Sequence, residues 1–246
     1  MPAEIELGTL AATARAGEAE ALRLWAGHGA VRLLEHDAAT GAMLTERCVP
    51  GSSLEDILDG AETDRVAIAL LTQLHDPQGA EGFVRLADRA TALAKDIVVR
   101  HERCGAPFDQ WLVDLSVDLL TDLASSESAP VILHGDFHHH NILAAQRAPW
   151  LAIDPLPMVG DPAYDAVQYL LFRKGDLADP EKEWGPVIHQ FCSGLGVDPE
   201  RVMAWLFVRL VSDAVAAHVE EGEPVALLEH DQADLWSARL IHRLRA

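Results

Sequence analysis

Val131-Ile-Leu-His-Gly-Asp-Phe-His-His-His-Asn-Ile-Leu143 runs from an apolar stretch into a turn that carries His134 and Asp136, with Asn141 five residues after Asp136. A second apolar stretch, Trp150-Leu-Ala-Ile153, delivers Asp154. A carboxylate, an amide and a second carboxylate beside short strands are what phosphoryl transfer asks for: one group orients a hydroxyl nucleophile, and two hold Mg²⁺ against nucleotide phosphates. An aspartate in a loop after a strand is, taken alone, most often a turn former or helix cap. The joint spacing of His134, Asp136, Asn141 and Asp154 is what favours the chemical reading.

Elements that could position these groups follow from apolar periodicity. Residues 4–10 alternate like a strand, and 14–26 space Ala19, Leu22 and Ala26 on one helical face. Residues 30–34 and 42–46 read as a hairpin around Asp37-Ala-Ala-Thr-Gly41. Pro50-Gly-Ser-Ser53 breaks the pattern and sets the expected boundary between residues 1–49 and 50–246, with Ser53 as N-cap of a helix from Leu54. Helices are then expected over 66–74, 86–103 and 108–123, and again over 163–172, 184–192, 199–220 and 230–245. The fold class is α+β: a strand, helix and hairpin, then a mainly helical region with one embedded hairpin.

Bulk properties narrow the function classes. With 246 residues, 49% of them apolar, the chain can bury a sizeable core. The net charge of −20, from 39 acidic against 19 basic residues, disfavours nucleic acid and anionic membranes and favours cationic small molecules; it also fits a plain solubility signature. Cys48, Cys104 and Cys192 have no metal-ligand spacing and fit a reducing compartment. The acidic N-terminus is unlike a signal peptide, and no apolar run nears the roughly 18 residues of a membrane span, so a cytoplasmic location is expected.

The segment His134-Gly-Asp-Phe-His-His-His-Asn141 resembles the catalytic loop of kinase-like phosphotransferases. Ile153-Asp154-Pro155 resembles their second metal-binding motif, and Val159-Gly-Asp-Pro-Ala-Tyr-Asp165 is similar to aminoglycoside phosphotransferases. Glu18–Trp25, Gly29–Leu34 and Leu44–Gly51 resemble the aminoglycoside/hydroxyurea antibiotic-resistance kinases, whose known members include streptomycin 6-phosphotransferases. The resemblance implies a protein-kinase-like bilobal fold with a truncated N-terminal lobe, and ATP-dependent O-phosphotransfer to a hydroxyl of a streptomycin-type cationic amino sugar. It implies Asp136 as catalytic base, His134 holding the loop, and Asn141 and Asp154 as Mg²⁺ ligands. It also implies Glu46-Arg47-Cys48 as the hinge whose main chain meets adenine, Glu18 as the helix glutamate that pairs with a strand lysine, and Asp161 as a cap and brace of the loop.

Two departures from the family pattern stand out. Gly27-His-Gly29 follows the helix and is no Gly-rich phosphate loop, and the lysine position falls on Glu6 or on nothing in Ile5-Glu-Leu-Gly8. The alternative reading is therefore a pseudo-kinase binding module. His138-His139-His140 invites a zinc reading, but adjacent side chains in an extended loop diverge. Asp213 and the acidic run 219–223 are candidates for a cationic acceptor site, with a solvated helix end as the plain reading. Trp205, Leu206 and Phe207 read as core, and Phe172-Arg-Lys174 as a helix C-terminus. Oligomeric state is not legible, although a short sheet would leave edges for a partner to cover.

Overall fold

Apolar spacing and turn chemistry set most of the element order, and long-range pairing sets the rest. The computed structural model describes residues 3–6, 12–57, 59–75, 81–126, 129–220 and 229–245, with side chains described within 17–216 and 232–245. Strand β1 (Ala3–Glu6) and helix α1 (Ala12–Trp25) precede the hairpin β2 (Leu33–Asp37) and β3 (Ala42–Glu46). The sheet order is β1-β3-β2, antiparallel throughout. In the hairpin turn the Asp37 carboxylate accepts the Ala39 amide and the Thr40 hydroxyl, the local chemistry that makes Asp-Ala-Ala-Thr-Gly turn. Positions 7–10 of the expected first strand and the side chains of the acidic run 219–223 lie outside the described residues.

Two expectations need correcting here. The first hairpin strand begins at Leu33, not Ala30. Gly29 and Val31 are hydrogen-bonded instead to Ala152, and Ala30 and Val31 are buried against that strand. Ser53 caps no helix. Its hydroxyl donates to Asp56 (2.8 Å) in a turn, while the Ser52 carbonyl accepts from Ala144 and the Leu54 amide donates to Ile142. The linker after β3 thus runs from Gly51 to Leu54 as a strand-like segment along β5 (Ile142–Ala144), where the backbone groups of Gly51, Ser52 and Leu54 are spent.

The next helix, α2 (Gly60–Leu74), starts six residues earlier than its apolar spacing suggests, and α3 (Leu86–Arg103) matches expectation. Helix α4 (Gln110–Ser125) leads into β4 (Val131–Leu133). The hairpin β5 and β6 (Trp150–Ala152) follows, and then β7 (Met158–Gly160), which pairs antiparallel with β4. Helices α5 (Asp165–Gly175), α6 (Pro180–Leu195), α7 (Pro199–Glu220) and α8 (Glu229–Arg245) complete the chain. Helix α7 is the centre of the helical part, packing against α3, α4, α5, α6 and α8. Trp205, Leu206 and Phe207 lie in its core face, as their spacing implies.

Phe172-Arg-Lys174 does end a helix, but Arg173 does more than complement a dipole. It is buried and donates to Asp64 (3.1 Å), which also accepts the Tyr169 hydroxyl (2.8 Å), tying α5 to α2. Lys174 donates to Ser237 on α8 (2.6 Å). No described helix is long and apolar enough to cross a membrane.

Candidate active site

Strand β4 ends at Leu133, and the next three residues turn sharply. Gly135 has φ of +78°, a conformation that only glycine adopts without cost, and a Cβ there would overlap the Leu156 carbonyl oxygen. The His134 carbonyl accepts the Leu156 amide (2.8 Å), so the two motif segments touch backbone to backbone. This close approach explains why glycine stands between His134 and Asp136.

His134 is fully buried. Its Nε2 donates to the Ile153 carbonyl (3.0 Å), which leaves Nδ1 to accept the Asp136 amide (3.4 Å). Burial pushes its imidazole pKa down, consistent with that neutral tautomer. Trp25 stacks on one side and Phe137 meets it edge-on. His134 therefore holds the two segments together, and it has no exposed nitrogen for acid–base work.

Asp136 points outward and is about one-third exposed on its side chain (36%). The Asn141 amide nitrogen donates to the Asp136 carbonyl (2.9 Å) and more weakly to its carboxylate (3.3 Å). That orientation leaves the Asn141 carbonyl oxygen for a cation. The backbone carbonyl of Asn141 accepts the Ile153 amide (3.0 Å), placing Asn141 beside the segment that carries Asp154. Asp154 has φ of +54°, uncommon for a non-glycine residue and a feature that clusters at functional sites. An amide oxygen and a carboxylate are hard oxygen donors that suit Mg²⁺, which takes few protein ligands and keeps waters or phosphate oxygens for the rest. Among the described residues no group of three or more His, Cys, Asp or Glu could hold a metal alone, as this sparse donor set implies.

The charges around Asp136 keep it ionised. The His138 imidazole, 3.6 Å away, is the main reason its carboxyl lies below the usual carboxylate range; burial opposes this, and His134 and Arg209 add to the lowering. Arg209 lies on α7 and donates through Nε to both oxygens of Asp213 (2.9 and 2.7 Å). Burial acts against the Arg209 charge, but Asp213 and Asp136 outweigh it and raise its pKa. The Asp213 side chain is 42% exposed and so keeps one side open to solvent while it pairs with Arg209.

The three histidines do not converge on one point, although the His138 and His140 rings lie 5.7 Å apart and all three pack around Phe172. His138 faces Asp136, and His140 pairs with Glu55 (3.2 Å). His139 is buried in a 3₁₀ turn and stacks on Tyr169 at 4.4 Å, where burial pushes its pKa down to about 4. Glu18 is buried on α1, next to Gly17, which packs on Pro157 beyond Asp154. Glu46, Arg47 and Cys48 lie at the end of β3 and in the linker. The Glu46 carboxylate is already engaged: Arg147 donates to both its oxygens (2.8 and 2.9 Å) and the Arg32 amide to one of them. The Glu46 side chain is thus spent on holding β3 to the β5–β6 hairpin.

The loop's brace is not Asp161. Asp161 does cap the following turn, accepting the Ala163 amide, but its other oxygen pairs with Arg201 of α7 (2.5 Å). The brace is Asp165, a buried carboxylate in the first turn of α5 that accepts the His134 and Gly135 amides (2.8 Å each). The one signal for Asp165 in the sequence is a second acid four residues after Asp161 in an otherwise apolar context. Arg147, in the turn between β5 and β6, has no local sequence signal for its role. Besides Glu46, it donates to the carbonyls of Gly27 (2.7 Å) and Ala30 (3.0 Å) in the segment that follows α1.

A buried loop with an outward carboxylate, an amide oxygen and an adjacent carboxylate, set between a small sheet and a helical region, defines a kinase-like small-molecule phosphotransferase fold. A solved neighbour with that fold is aminoglycoside phosphotransferase APH(3'')-Id from Streptomyces rimosus, in complex with ADP and streptomycin: TM-score 0.58, 21% identity, 81% of each chain covered. Within this class the chain belongs to the aminoglycoside/hydroxyurea antibiotic resistance kinase family, whose profile matches residues 7–222. It is 35% identical over 222 residues to hydroxyurea phosphotransferase of Kitasatospora aureofaciens, covering 89% of this chain and 62% of that protein. It is 34% identical over 197 residues to streptomycin 6-kinase of Streptomyces glaucescens, covering 79% of this chain and 64% of that protein. The chain therefore spans about three-fifths of the length of these relatives.

Proposed function

We propose that the chain is an ATP-dependent O-phosphotransferase acting on a hydroxyl of a cationic, streptomycin-type amino sugar. The observation that carries this is the ionised, outward Asp136 held against Asn141 beside Asp154. Asp136 orients the acceptor hydroxyl and takes its proton as the acceptor oxygen bonds to the γ-phosphorus. The bond from that phosphorus to the bridging oxygen breaks, and ADP leaves. Asn141 and Asp154 would hold Mg²⁺, which when bound neutralises phosphate charge. His134 keeps the loop in register from its buried position.

On this reading residues 1–49 form the nucleotide-side lobe and 50–246 the acceptor-side lobe, joined by the linker that runs along β5. Main-chain groups of Glu46, Arg47 and Cys48 meet the adenine, and Glu18 lies on the nucleotide side of α1. Asp213 attracts the acceptor's positive groups. The reaction belongs in the cytoplasm, where ATP is supplied. Support comes from the family membership and from relatives named for streptomycin and hydroxyurea.

The test is ADP release from Mg²⁺-ATP with streptomycin, other amino sugars and hydroxyurea as acceptors. Streptomycin should give turnover that Asp136→Ala lowers by about 10³-fold or more. Equal ADP release by the wild type and Asp136→Ala with every acceptor would remove the proposal.

A further inference from the structure

The carboxylate that braces the catalytic loop has a third donor, which comes from outside the motif. His75 ends α2, and its Nε2 lies 3.0 Å from Asp165 Oδ2, the oxygen that also accepts the His134 amide. The Asp165 side chain is fully buried and that of His75 is 9% exposed. No lysine or arginine forms an ion pair with Asp165 among the described residues. A buried carboxylate without such a partner depends on the number of N–H groups aimed at it. Here there are three: two from the loop and one from His75.

We infer that His75 is a positioning residue for phosphoryl transfer. It holds Asp165 where that carboxylate can grip the loop that presents Asp136. Because Asp165 accepts only, the facing His75 nitrogen carries the proton. Two backbone amides can seat a carboxylate at several angles; the third donor, arriving from a separate helix, selects one. The chain of contacts is continuous, from α2 through His75 to Asp165, to the His134 and Gly135 amides, and so to Asp136 at the next residue. Leu71, whose carbonyl accepts the His75 amide (2.9 Å), is fully buried, so the imidazole is mounted on packed core. His75 touches no reacting atom, and its effect is on the rate of the chemical step and not on substrate affinity.

This inference rests on the phosphotransferase reading for its kinetic part, so the test has two readouts. The kinetic one compares His75→Leu with His75→Gln, whose side-chain amide can replace the Nε2–H donor. His75→Leu should lower kcat by about ten- to a hundredfold, the worth of one hydrogen bond to a charged group. KM for ATP and for the acceptor should stay within about twofold, and His75→Gln should recover most of the rate. The second readout needs no turnover. Amide hydrogen exchange at His134 and Gly135 should quicken in the leucine variant and return toward wild type in the glutamine variant, with distant core amides unchanged. If the wild type shows no transfer, the functional reading fails while the exchange result still decides the role of His75. Unchanged exchange at these two amides in His75→Leu would overturn the inference. So would equal losses in the leucine and glutamine variants with distant amides exposed alike.

Discussion

Gly135 sits between His134, which anchors the loop, and Asp136, the proposed base. Its φ of +78° and its contact with the Leu156 carbonyl mean that alanine there meets backbone, not a side chain that could rotate away. Gly135→Ala should therefore destabilise the fold by about 3 kcal/mol, from positive φ plus displacement of the β7-side segment. Denaturant unfolding checks the stability cost. Activity should fall further than stability explains, by about a hundredfold even where the variant is folded, because Asp136 moves with the turn. A folded alanine variant with near-normal turnover would contradict this account of the glycine. At this scale the sequence was most readable. His134, Asp136, Asn141 and Asp154 act through contacts among themselves, so their spacing carries their meaning. Asp165 and His75 lie ninety residues apart, and no local pattern pairs them.

The 3₁₀ turn at His139–Asn141 is the element that carries Asn141, and it is anchored by His139 lying against Tyr169. Neither His139 ring nitrogen has a hydrogen-bond partner in its buried setting. With the folded pKa near 4 against an ordinary value of 6.5, the unfolded chain binds the extra proton between these values. Stability from this site is intact above about pH 6.5 and declines as the pH falls toward 4, by on the order of 3 kcal/mol in full. His139→Phe keeps an aromatic ring on Tyr169 and removes the titration. Urea unfolding at pH 7 and pH 5 should show a smaller drop for the variant than for the wild type, and equal drops would refute the assignment. Helix positions were largely legible because buried faces repeat every turn, as in α3 and α7. The strand at Leu33 and the linker at Ser53 were misread for a shared reason. Both segments are shaped by hydrogen bonds to the β5–β6 hairpin, about ninety to 120 residues further on.

The whole molecule carries a formal charge of −20, and Asp213 pairs with Arg209, whose charge also reaches Asp136. If the acceptor is a polycation, the field of the whole surface gathers it, and salt weakens that field. The KM for streptomycin should rise several-fold as NaCl goes from about 20 to 300 mM, since the screening length drops below about 10 Å in that interval. The KM for a neutral acceptor such as hydroxyurea should hardly change over the same range. Parallel salt responses for both acceptors would show that the charge serves solubility alone. The acidic composition was plain in the sequence, but its local focus was not, because Arg209 and Asp213 approach Asp136 only through the packing of α7 beside the loop.

Arg147 occupies what looks like the least constrained place in the chain, the turn of a short hairpin followed by Ala148 and Pro149. Its guanidinium nevertheless spans the Glu46 carboxylate and the Gly27 and Ala30 carbonyls in the segment after α1. A protein engineer searching for a site to insert a tag, a reporter or a loop graft would choose that turn for its short strands and its polar tip. The graft would unfasten the β3 end from the hairpin whose strands lead from Asn141 to Asp154. Insertion tolerance here runs opposite to appearance: the hairpin tip is a buckle.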